Sequence, residues 1–415
     1  MRVFFTLLLL ISVSFAGDAT IEVIKKVESL PSIALEDASV SYDSTFKSTF
    51  FKTLAADLNV LSLFNVDRHY HETNFDGNVV VANKDMNYVL RYKLTEDDNN
   101  ALNVEIKLIS NEKNVLLKKY KINNKRIYVF VAHSIAYDIN EFMGSPSVEW
   151  MKKRVIFSRI TQARRSEIII ADYTLAYQHV ILKGGLNLFP KWANKNQSAF
   201  YYSSLGGKKP LLKYLDTRTG KSKVILSSDG MMICSDVSYD EKLLLLTMAP
   251  KGQPDVYLYN VDTKQYKRAT TYGGIDVSGQ FIDKNTIAFI SDRLGYPNIF
   301  SKKIGTSSVE QMVYYGKSNS ACSAHGEYVV YKSRESSNAF SENTFNLHLI
   351  STKTDFIRRL TATGVNEFPR FSKDGDAILF IKNYKAQSSL GIIRLSHNKN
   401  YLFPLKVGKI QSIDW

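Results

Sequence analysis

The feature that most constrains the fold is a β-hairpin pattern that recurs along the chain. Its clearest copy is ISDRLGYPNIFSKKI (290–304), in which two apolar runs flank a Ser-Asp-Arg-x-Gly turn. The pattern occurs six times, at 154–173, 198–216, 243–261, 290–304, 328–350 and 377–395. One hairpin would say little about the fold. Six in order predict a repeat protein, in which each unit buries its apolar face against the next.

A second marker lies between the hairpins and sets the length of the repeat. Each marker residue is followed by a polar turn and then by the next apolar run; the markers are Trp192, Val237, Phe281, Cys322, Phe371 and Trp415. They are 45, 44, 41, 49 and 44 residues apart. Such a period, with four strands (A to D) in each repeat, is typical of a β-propeller. We therefore predict an all-β, six-bladed propeller over residues 153–415.

The two ends of the predicted propeller depend on each other. The first repeat begins with strand B at about Lys153 and has no strand A of its own. The segment QSIDW at 411–415 is the one that can supply it. We therefore expect the C-terminal strand to close the ring, because an open ring would leave two unpaired sheet edges.

Residues 17–143 have a different pattern, which predicts a small α/β domain. Apolar residues recur at four-residue steps over 44–61 and share one face over 126–142, which indicates two amphipathic helices. Alternating apolar residues predict strands at 86–94, 102–110 and 115–122. Gly144 and Pro146 end the second helix, so residues 144–152 are expected to form a linker to the propeller.

Residues 1–16 are expected to be a secretory signal peptide. Arg2 is followed by an apolar stretch, and Ser-Phe-Ala before residue 17 is a cleavage signature. No other stretch approaches the length of a membrane span, so we expect an exported chain without one. The formal charge is +14. In an exported protein this favours an anionic envelope surface, or simply a solvated basic surface, over nucleic acid.

The sequence contains no motif that indicates catalysis, a cofactor or a metal. There is no G-x-S-x-G motif, and the Asp-Gly turns lack the residues of a sialidase Asp-box. His69 and His71 could ligate a metal but have no third ligand nearby, so a solvated loop is favoured. His133 is expected at the polar edge of its helix. Cys234 and Cys322 fall on non-adjacent blades, so we expect two free thiols.

Three motifs carry a resemblance to a known family. FPRFSKDGDAILF (368–380) resembles the P-x-W-S-x-D-G blade pattern of the TolB family, periplasmic proteins of the Tol–Pal system, and FPKWANKNQSAF (189–200) keeps its Pro and Trp. The hairpin ISDRLGYPNIF is similar to that family's T-S-D-x-x-G-x-P-Q-I-Y, and the chain ends on a similar terminal strand. The order of signal peptide, small α/β domain and propeller also matches.

The resemblance implies a non-enzymatic periplasmic interaction protein without a cofactor, which supports outer-membrane integrity and constriction during cell division. It implies docking of the lipoprotein Pal at one mouth of the propeller, binding of TolA by the N-terminal segment, and further outer-membrane proteins as partners. Alignment on the family places Met231, Cys234, Asp276 and Val277 at the mouth, and the repeat adds Asn319 and Glu367. The expected TolA-binding arm contains Ile21, Glu22, Val23, Ile24 and Lys25.

Two alternatives remain open on the residues alone. One is an exported propeller glycosidase or glycan-binding lectin, which a buried cluster of carboxylates and arginines in the central channel would favour. Small apolar and amide side chains in the channel would favour the docking protein. The other alternative is an exported propeller with a different ligand.

Overall fold

A mixed sheet and two helices form the N-terminal region of the protein. The structure is a computed structural model that describes residues 30–77, 79–83, 85–335, 344–354, 356–385 and 387–415. The helices are α1 (Ser44–Leu61) and α2 (Tyr128–Phe142), and short 3-10 helices cover Lys125–Ile127 and Glu149–Lys152. The strands of this region are β1 (Ser32–Asp37), β2 (Asn65–Val66), β3 (His71–Glu72), β4 (Tyr88–Glu96), β5 (Leu102–Ser110) and β6 (Lys113–Ile122). They are ordered β2-β1-β4-β5-β6, with β3 also beside β1.

Helix α1 has the bounds that its apolar pattern predicts. The carboxylate of Asp43 caps its first turn by accepting the backbone N–H of Phe46 at 2.7 Å. Ser62 ends the helix in the left-handed conformation, with φ 62°. Leu54 and Leu58 on its apolar face are fully buried against the sheet. The regular spacing of the apolar residues on this face is the reason that the sequence alone predicts the helix.

In the part of the chain that the structure describes, twenty-four further strands form a β-propeller-like domain after the N-terminal region. They are β7 (Val155–Gln162), β8 (Arg165–Ala171), β9 (Gln178–Lys183), β10 (Asn187–Trp192), β11 (Ala199–Ser204), β12 (Leu211–Asp216), β13 (Ser222–Ser227), β14 (Met232–Val237), β15 (Leu243–Met248), β16 (Asp255–Asn260), β17 (Tyr266–Arg268), β18 (Asp276–Phe281), β19 (Thr286–Ser291), β20 (Asn298–Lys303), β21 (Glu310–Gln311), β22 (Lys317–His325), β23 (Tyr328–Glu335), β24 (Thr344–Ser351), β25 (Ile357–Arg359), β26 (Val365–Phe371), β27 (Ala377–Tyr384), β28 (Gln387–Arg394), β29 (Lys399–Pro404) and β30 (Lys409–Asp414).

These strands pair mostly with their neighbours in sequence. Three four-stranded sheets are ordered β10 to β13, β14 to β17 and β18 to β21. Strands β22 to β29 form one larger sheet, in which a single parallel pair between Phe345 and Val365 joins β24 to β26. The fifth sheet is ordered β30-β7-β8-β9. The C-terminal strand therefore pairs with the first strand after the N-terminal region, with Ile413 opposite Phe157.

The first strand of each repeat, strand A, contains a register shift. These strands are β10, β14, β18, β22, β26 and β30. The pairing corrects one marker predicted from sequence. Val237 lies opposite Leu244, and in the fifth repeat the same place is taken by Ala324, opposite Val329. The choice of Cys322 was wrong by two residues, because the strand continues past the bulge to a small residue that has no distinctive signal.

A buried polar network joins the N-terminal helices to the β domain. His133 of α2 is fully buried, so its predicted place at a polar helix edge was wrong. Its Nδ1 lies 2.8 Å from a carboxylate oxygen of Asp57 in α1, and its Nε2 lies 3.3 Å from one of Asp172, after β8. The hydroxyl of Tyr173 also donates to Asp57. The β domain covers what would otherwise be a solvated helix face.

The end of α1 contacts the β domain through its last carbonyl groups. Arg394, fully buried, donates from Nη1 to the carbonyl oxygen of Leu61 at 2.7 Å. The hydroxyl of Tyr401 donates to the carbonyl oxygen of Asn59 at 3.0 Å. Arg394 thus bonds a carbonyl of the last turn, where a helix lacks its own donors, and Tyr401 adds a second donor to Asn59, which also accepts the N–H of Ser62. Residues from Pro31 onwards accordingly form one compact unit.

Candidate functional site

The A strands of the β domain line a common space, here called the channel, because residues of β10, β14, β18, β22, β26 and β30 together border a cavity at each of its two ends, here called mouths. The D–A mouth is formed by the connections that lead from strand D to strand A and from B to C. The A–B mouth, at the other end, is formed by the A–B and C–D turns. The docking residues predicted at the mouth lie at the start of A strands or just before them, and so towards the D–A mouth.

The structure divides the predicted docking residues into an exposed and a buried set. Met231 is exposed, and Val277 and Glu367 are partly exposed. Asp276, Asn319 and Cys234 are buried. The three buried side chains therefore support the connections of the mouth, whereas Met231, Val277 and Glu367 can contact a partner.

Asp276 makes a buried ion pair beneath the D–A mouth. Its carboxylate lies 3.2 Å from Nη2 of Arg293, on the turn that the opening hairpin motif contains. The guanidinium also lies over the rings of Phe289, Phe300 and Tyr272. Asp276 thus fixes the B–C turn through Arg293. A charge-reversing substitution such as Asp276→Arg would bury an unpaired charge and destabilise the protein. It is therefore a poor test of whether Asp276 contacts a partner.

Asn319 supports the connection that precedes its strand. Its Nδ2 donates to the carbonyl oxygen of Tyr315 and to Oδ1 of Asn298, both at 3.0 Å. Asn366 has the same place in the next repeat and donates to the carbonyl oxygen of Thr363 at 3.1 Å. The recurring side chain is therefore an amide that holds the D–A connection in shape.

Apart from Met231, the exposed apolar residues at the D–A mouth were not predicted from the sequence. Tyr314 and Tyr315 are 73% and 70% exposed between β21 and β22. Further exposed apolar residues on the connections of the same mouth are Met231, Tyr272, Ile275, Leu294 and Val407. Exposed aromatic and methionine side chains of this kind are enriched at protein interfaces. The local sequence that could have indicated this surface is Tyr-Tyr-Gly before β22, but this sequence is equally typical of the end of a strand.

The channel itself is lined by a ring of polar side chains, one from each A strand. The ring consists of Asp414, Lys191, Asp236, Gln280, Ser323 and Arg370, which together line one cavity. Nζ of Lys191 lies 2.9 Å from Asp414 and 3.1 Å from Asp236. Nη1 of Arg370 donates to Oε1 of Gln280 at 3.1 Å. This lining is charged, unlike the apolar and amide lining expected for a docking protein.

The carboxylates of this ring are used to connect neighbouring A strands. Asp414 accepts the backbone N–H of Trp192, and Asp236 accepts that of Phe281, both at 2.9 Å. Burial alone would lower the pKa of Lys191, but the carboxylates of Asp414 and Asp236 outweigh it and raise that pKa. The ion cluster is thus a structural one, with each carboxylate held by a lysine and by a backbone amide.

A constriction separates the channel ring from the D–A mouth. The rings of Phe189 and Phe368 lie 6.5 Å apart there, beside a cavity of about 80 Å³ that Cys234 and Cys322 also line. Both cysteines are free, as predicted. Burial raises the pKa of the Cys322 thiol to about 12 and also raises that of Cys234. Both thiols therefore remain protonated and unreactive at neutral pH.

The described residues contain no group of three or more potential ligands that could hold a metal ion. His69 and His71 instead contact the carboxylate of Asp67, at 2.5 and 3.2 Å. Ile21, Glu22, Val23, Ile24 and Lys25 of the predicted arm lie outside the described residues. Within the described ranges, the helices are too short or too polar to cross a membrane.

Comparison with known proteins places the chain among close relatives. Residues 149–415 match the family described as the TolB beta propeller domain. The chain is 47% identical over 424 residues to the Tol-Pal system protein TolB of Wolinella succinogenes and 41% identical to that of Helicobacter hepaticus, and in both cases the match covers all of both chains. A solved structure, TolB from Acinetobacter baumannii, superposes with a TM-score of 0.75 over 92% of this chain and 96% of that chain, at 20% identity.

Proposed function

Because the family match covers residues 149–415 and full-length relatives reach 47% identity, the chain belongs to the TolB family of Tol–Pal system proteins, and we propose that it is a non-enzymatic docking protein of that system in the periplasm. In this role it supports outer-membrane integrity and constriction during cell division. The proposed division of the chain is a signal peptide (1–16), an α/β domain (17–143), a linker (144–152) and a propeller (153–415).

The D–A mouth is proposed to dock the lipoprotein Pal. The observation that carries this proposal is the set of exposed apolar side chains there, led by Tyr314 and Tyr315. Buried polar groups beneath them, such as Asn319, hold the connections that present these side chains. A pre-shaped surface of this kind loses little conformational entropy on binding. Met231, Val277 and Glu367 complete the proposed contact surface.

Capture of Pal by variants of this surface tests the proposal. Met231→Glu and Tyr315→Glu each place a charge in the proposed contact and should weaken capture at least tenfold, since desolvation of an unpaired charge is costly. Val224→Glu is the matched control, because Val224 is comparably exposed (56%) on the outer strand β13. Equal capture by all three variants, with unchanged melting temperatures, would place the Pal site on another surface.

The N-terminal arm is proposed to bind TolA as an added strand. Its sequence ATIEVIKKV alternates apolar and polar residues, as a strand with two different faces does. A chain that lacks residues 17–26 should lose TolA capture and keep both Pal capture and the melting temperature. Full TolA capture by the shortened chain would show that the arm is not the binding segment.

We also propose that the propeller is a ring of six blades closed by β30. The pairing of β30 with β7 and the bulge shared by the six A strands support this arrangement. So do the contacts of Lys191, which reach an A strand on either side of its own. The charged ring would also suit the alternative of a glycosidase or lectin. Its carboxylates, however, already bind backbone amides, which favours a structural role.

A further inference from the structure

Exposed basic side chains follow one side of the D–A mouth, on the connections of the first, second and sixth repeats. The turn between β7 and β8, with the first residue of β8, contributes two of them. The β11–β12 and β27–β28 connections contribute one each, and the connection before β30, with the first residue of that strand, contributes two. These side chains, here called the basic patch, are Arg164, Arg165, Lys208, Lys385, Lys406 and Lys409.

Hydrogen bonds join these connections into one continuous surface. Nε2 of Gln387 donates to the carbonyl oxygen of Leu405 at 2.7 Å, which joins the β27–β28 turn to the connection before β30. Strand β30 in turn pairs with β7. The backbone N–H of Leu205 donates to the carbonyl oxygen of Leu186 at 2.8 Å, which joins the second repeat to the connection that leaves the first. A partner that covers one of these connections is therefore close to the others.

Three carboxylates on this side of the mouth are paired with basic side chains that are not part of the patch. The pairs are Glu167 with Arg159 at 2.6 Å, Asp229 with Lys209 at 2.5 Å, and Glu367 with Lys332 at 3.2 Å. The members of the basic patch make no ion pair with the residues that the structure describes. The patch thus carries positive charge that the described part of the chain does not compensate.

The A–B turns at the other mouth differ from the basic patch in their charge. Three of these turns each contain an exposed lysine within two residues of an exposed aspartate; the residues are Lys242 and Asp240, Lys284 and Asp283, and Lys373 and Asp374. Opposite charges that lie so close together largely cancel at a distance from the surface. The A–B turns therefore do not select the sign of a partner's charge, whereas the basic patch does.

The basic patch is continuous with the surface proposed to dock Pal. Val407, which is 70% exposed, lies between Lys406 and Lys409, and Tyr384, which is 55% exposed, precedes Lys385. A partner that buries these two apolar side chains also displaces water from the lysines beside them. Removal of water from an unpaired charge is costly, so a stable complex requires anionic groups of the partner at these positions.

We propose that the basic patch binds carboxylate side chains of the protein that docks at the D–A mouth. This inference rests on the proposed docking of Pal and adds the charge and the orientation of that partner. Acidic residues of Pal face the first, second and sixth repeats, and its apolar residues face the exposed aromatic side chains of the third to fifth. Attraction between charged surfaces of this kind acts mainly on the rate of association.

The salt dependence of Pal association tests the proposal. The natural protein without residues 1–16 is mixed with Pal from the same organism, and the rates of association and dissociation are measured separately by surface plasmon resonance. Association should be about tenfold slower at about 150 mM salt than at about 10 mM, because the Debye length falls from about 30 Å to about 8 Å over this range.

A variant with Arg164→Gln, Lys208→Gln and Lys406→Gln loses one charge from each of three connections of the basic patch. At low salt it should associate with Pal about tenfold more slowly than the natural protein, and its rate should depend less on salt. Its dissociation rate should change less, because exposed charge pairs contribute little to the complex once it has formed.

The control variant has Lys221→Gln, Lys264→Gln and Lys284→Gln, which lie on exposed turns at the opposite end of the β domain. It has the same net charge as the patch variant, so a difference between the two depends on where the charge lies. We expect it to associate within about twofold of the natural rate. All six substituted positions are exposed, so neither variant should change the melting temperature.

Three results would overturn the proposal, and they can be told apart. Equal association rates for the two variants would remove the basic patch from the interface and leave Pal docking in place. A natural protein that does not associate with Pal at either salt concentration would remove the docking proposal, and this inference with it. In the third result, the natural protein sediments with phosphatidylglycerol vesicles, the patch variant does not, and both variants associate equally with Pal. The patch would then bind a lipid surface and not a protein.

Discussion

The imidazole Nε2 of His133 lies 3.3 Å from the carboxylate of Asp172, and this contact joins helix α2 to the first sheet of the β domain. The other ring nitrogen faces Asp57 of helix α1. All three side chains are fully buried. Each charge therefore depends on the others for compensation, because water does not reach any of them.

Replacement of His133 by Gln should destabilise the protein strongly. Glutamine can keep one hydrogen bond but leaves two buried carboxylates without a positive charge, which costs about 3–5 kcal/mol. Urea unfolding of both proteins at pH 7 measures the difference. The variant His133→Gln with Asp57→Asn should recover part of the loss, since it removes one of the stranded charges. No recovery would mean that shape, rather than charge, is what His133 provides.

The contribution of His133 should also depend on pH in a defined direction. Burial would lower its pKa, but Asp57 and Asp172 outweigh burial and raise it to about 9. The unfolded value is near 6.5, so the stabilisation is complete below about pH 6.5 and is lost as the pH rises towards 9. The stability difference between the natural protein and His133→Gln should shrink over this interval. A difference that stays constant from pH 6 to pH 9.5 would contradict a charged His133.

Arg394 should be as important for the same interface. It is fully buried, and Asp376 accepts from its Nε and Nη2 at 3.2 and 3.0 Å while Leu61 accepts from Nη1. Arg394→Met leaves the carbonyl oxygen of Leu61 without this donor and leaves Asp376 with the backbone N–H of Ser396 but no positive charge, and it should cost about 3–5 kcal/mol. The substitution should also make the chain easier to cleave at low protease concentration, because it weakens the contact between α1 and the β domain. Arg394→Met with Asp376→Asn is the control that separates lost charge from lost packing.

The regular parts of the fold could be predicted from the sequence because they depend on local periodicity. Helix α1 has the predicted bounds, and so does β5 at Leu102–Ser110, whose burial alternates as far as Leu108. The C-terminal strand beside β7 followed from counting strands. For the helix and for β5, apolar residues recur every 3.6 or every 2 residues on the face that is buried. This period depends only on residues that are close together in the sequence.

The errors arose where a residue's surroundings come from distant parts of the chain. His133 has a helical position that looks polar, but Asp172 of the β domain covers it. Asp276 looks like a loop carboxylate and is fully buried because Arg293 of the next hairpin closes over it. The charged channel ring was missed for the same reason, since Lys191 and Asp414 are far apart in sequence.

A close packing contact gives a prediction that does not involve charge. Gly391 in β28 lies opposite Phe380 in β27, and a Cβ atom at Gly391 would overlap the phenyl ring. Gly391→Ala should therefore destabilise the protein by about 1–3 kcal/mol, the usual cost of overpacking a core. Thermal unfolding measures this loss. Gly273→Ala, where a Cβ would meet no atom within 4 Å, is the control and should be close to neutral.

The last prediction concerns β30, whose loss should open the proposed ring. A chain that ends at Ile410 loses the hydrogen bond between the hydroxyls of Ser412 and Ser158 at 2.7 Å, the Asp414–Lys191 pair, and the indole of Trp415. It also leaves β7 with an unpaired edge, which invites aggregation. We expect a loss of several kcal/mol, roughly the sum of a buried ion pair and a large apolar side chain.

Asp414→Ala provides a milder version of the same test if the shortened chain does not fold. It keeps the strand and removes only the carboxylate that holds Lys191 and the backbone N–H of Trp192. It should destabilise less than the truncation, because the β30–β7 ladder is retained. Hydrogen exchange should then rise first in β7, which pairs with β30, and in β10, whose Trp192 N–H the Asp414 carboxylate accepts. If the truncated chain melts at the same temperature as the full one and exchange in β7 is unchanged, β30 does not close the ring.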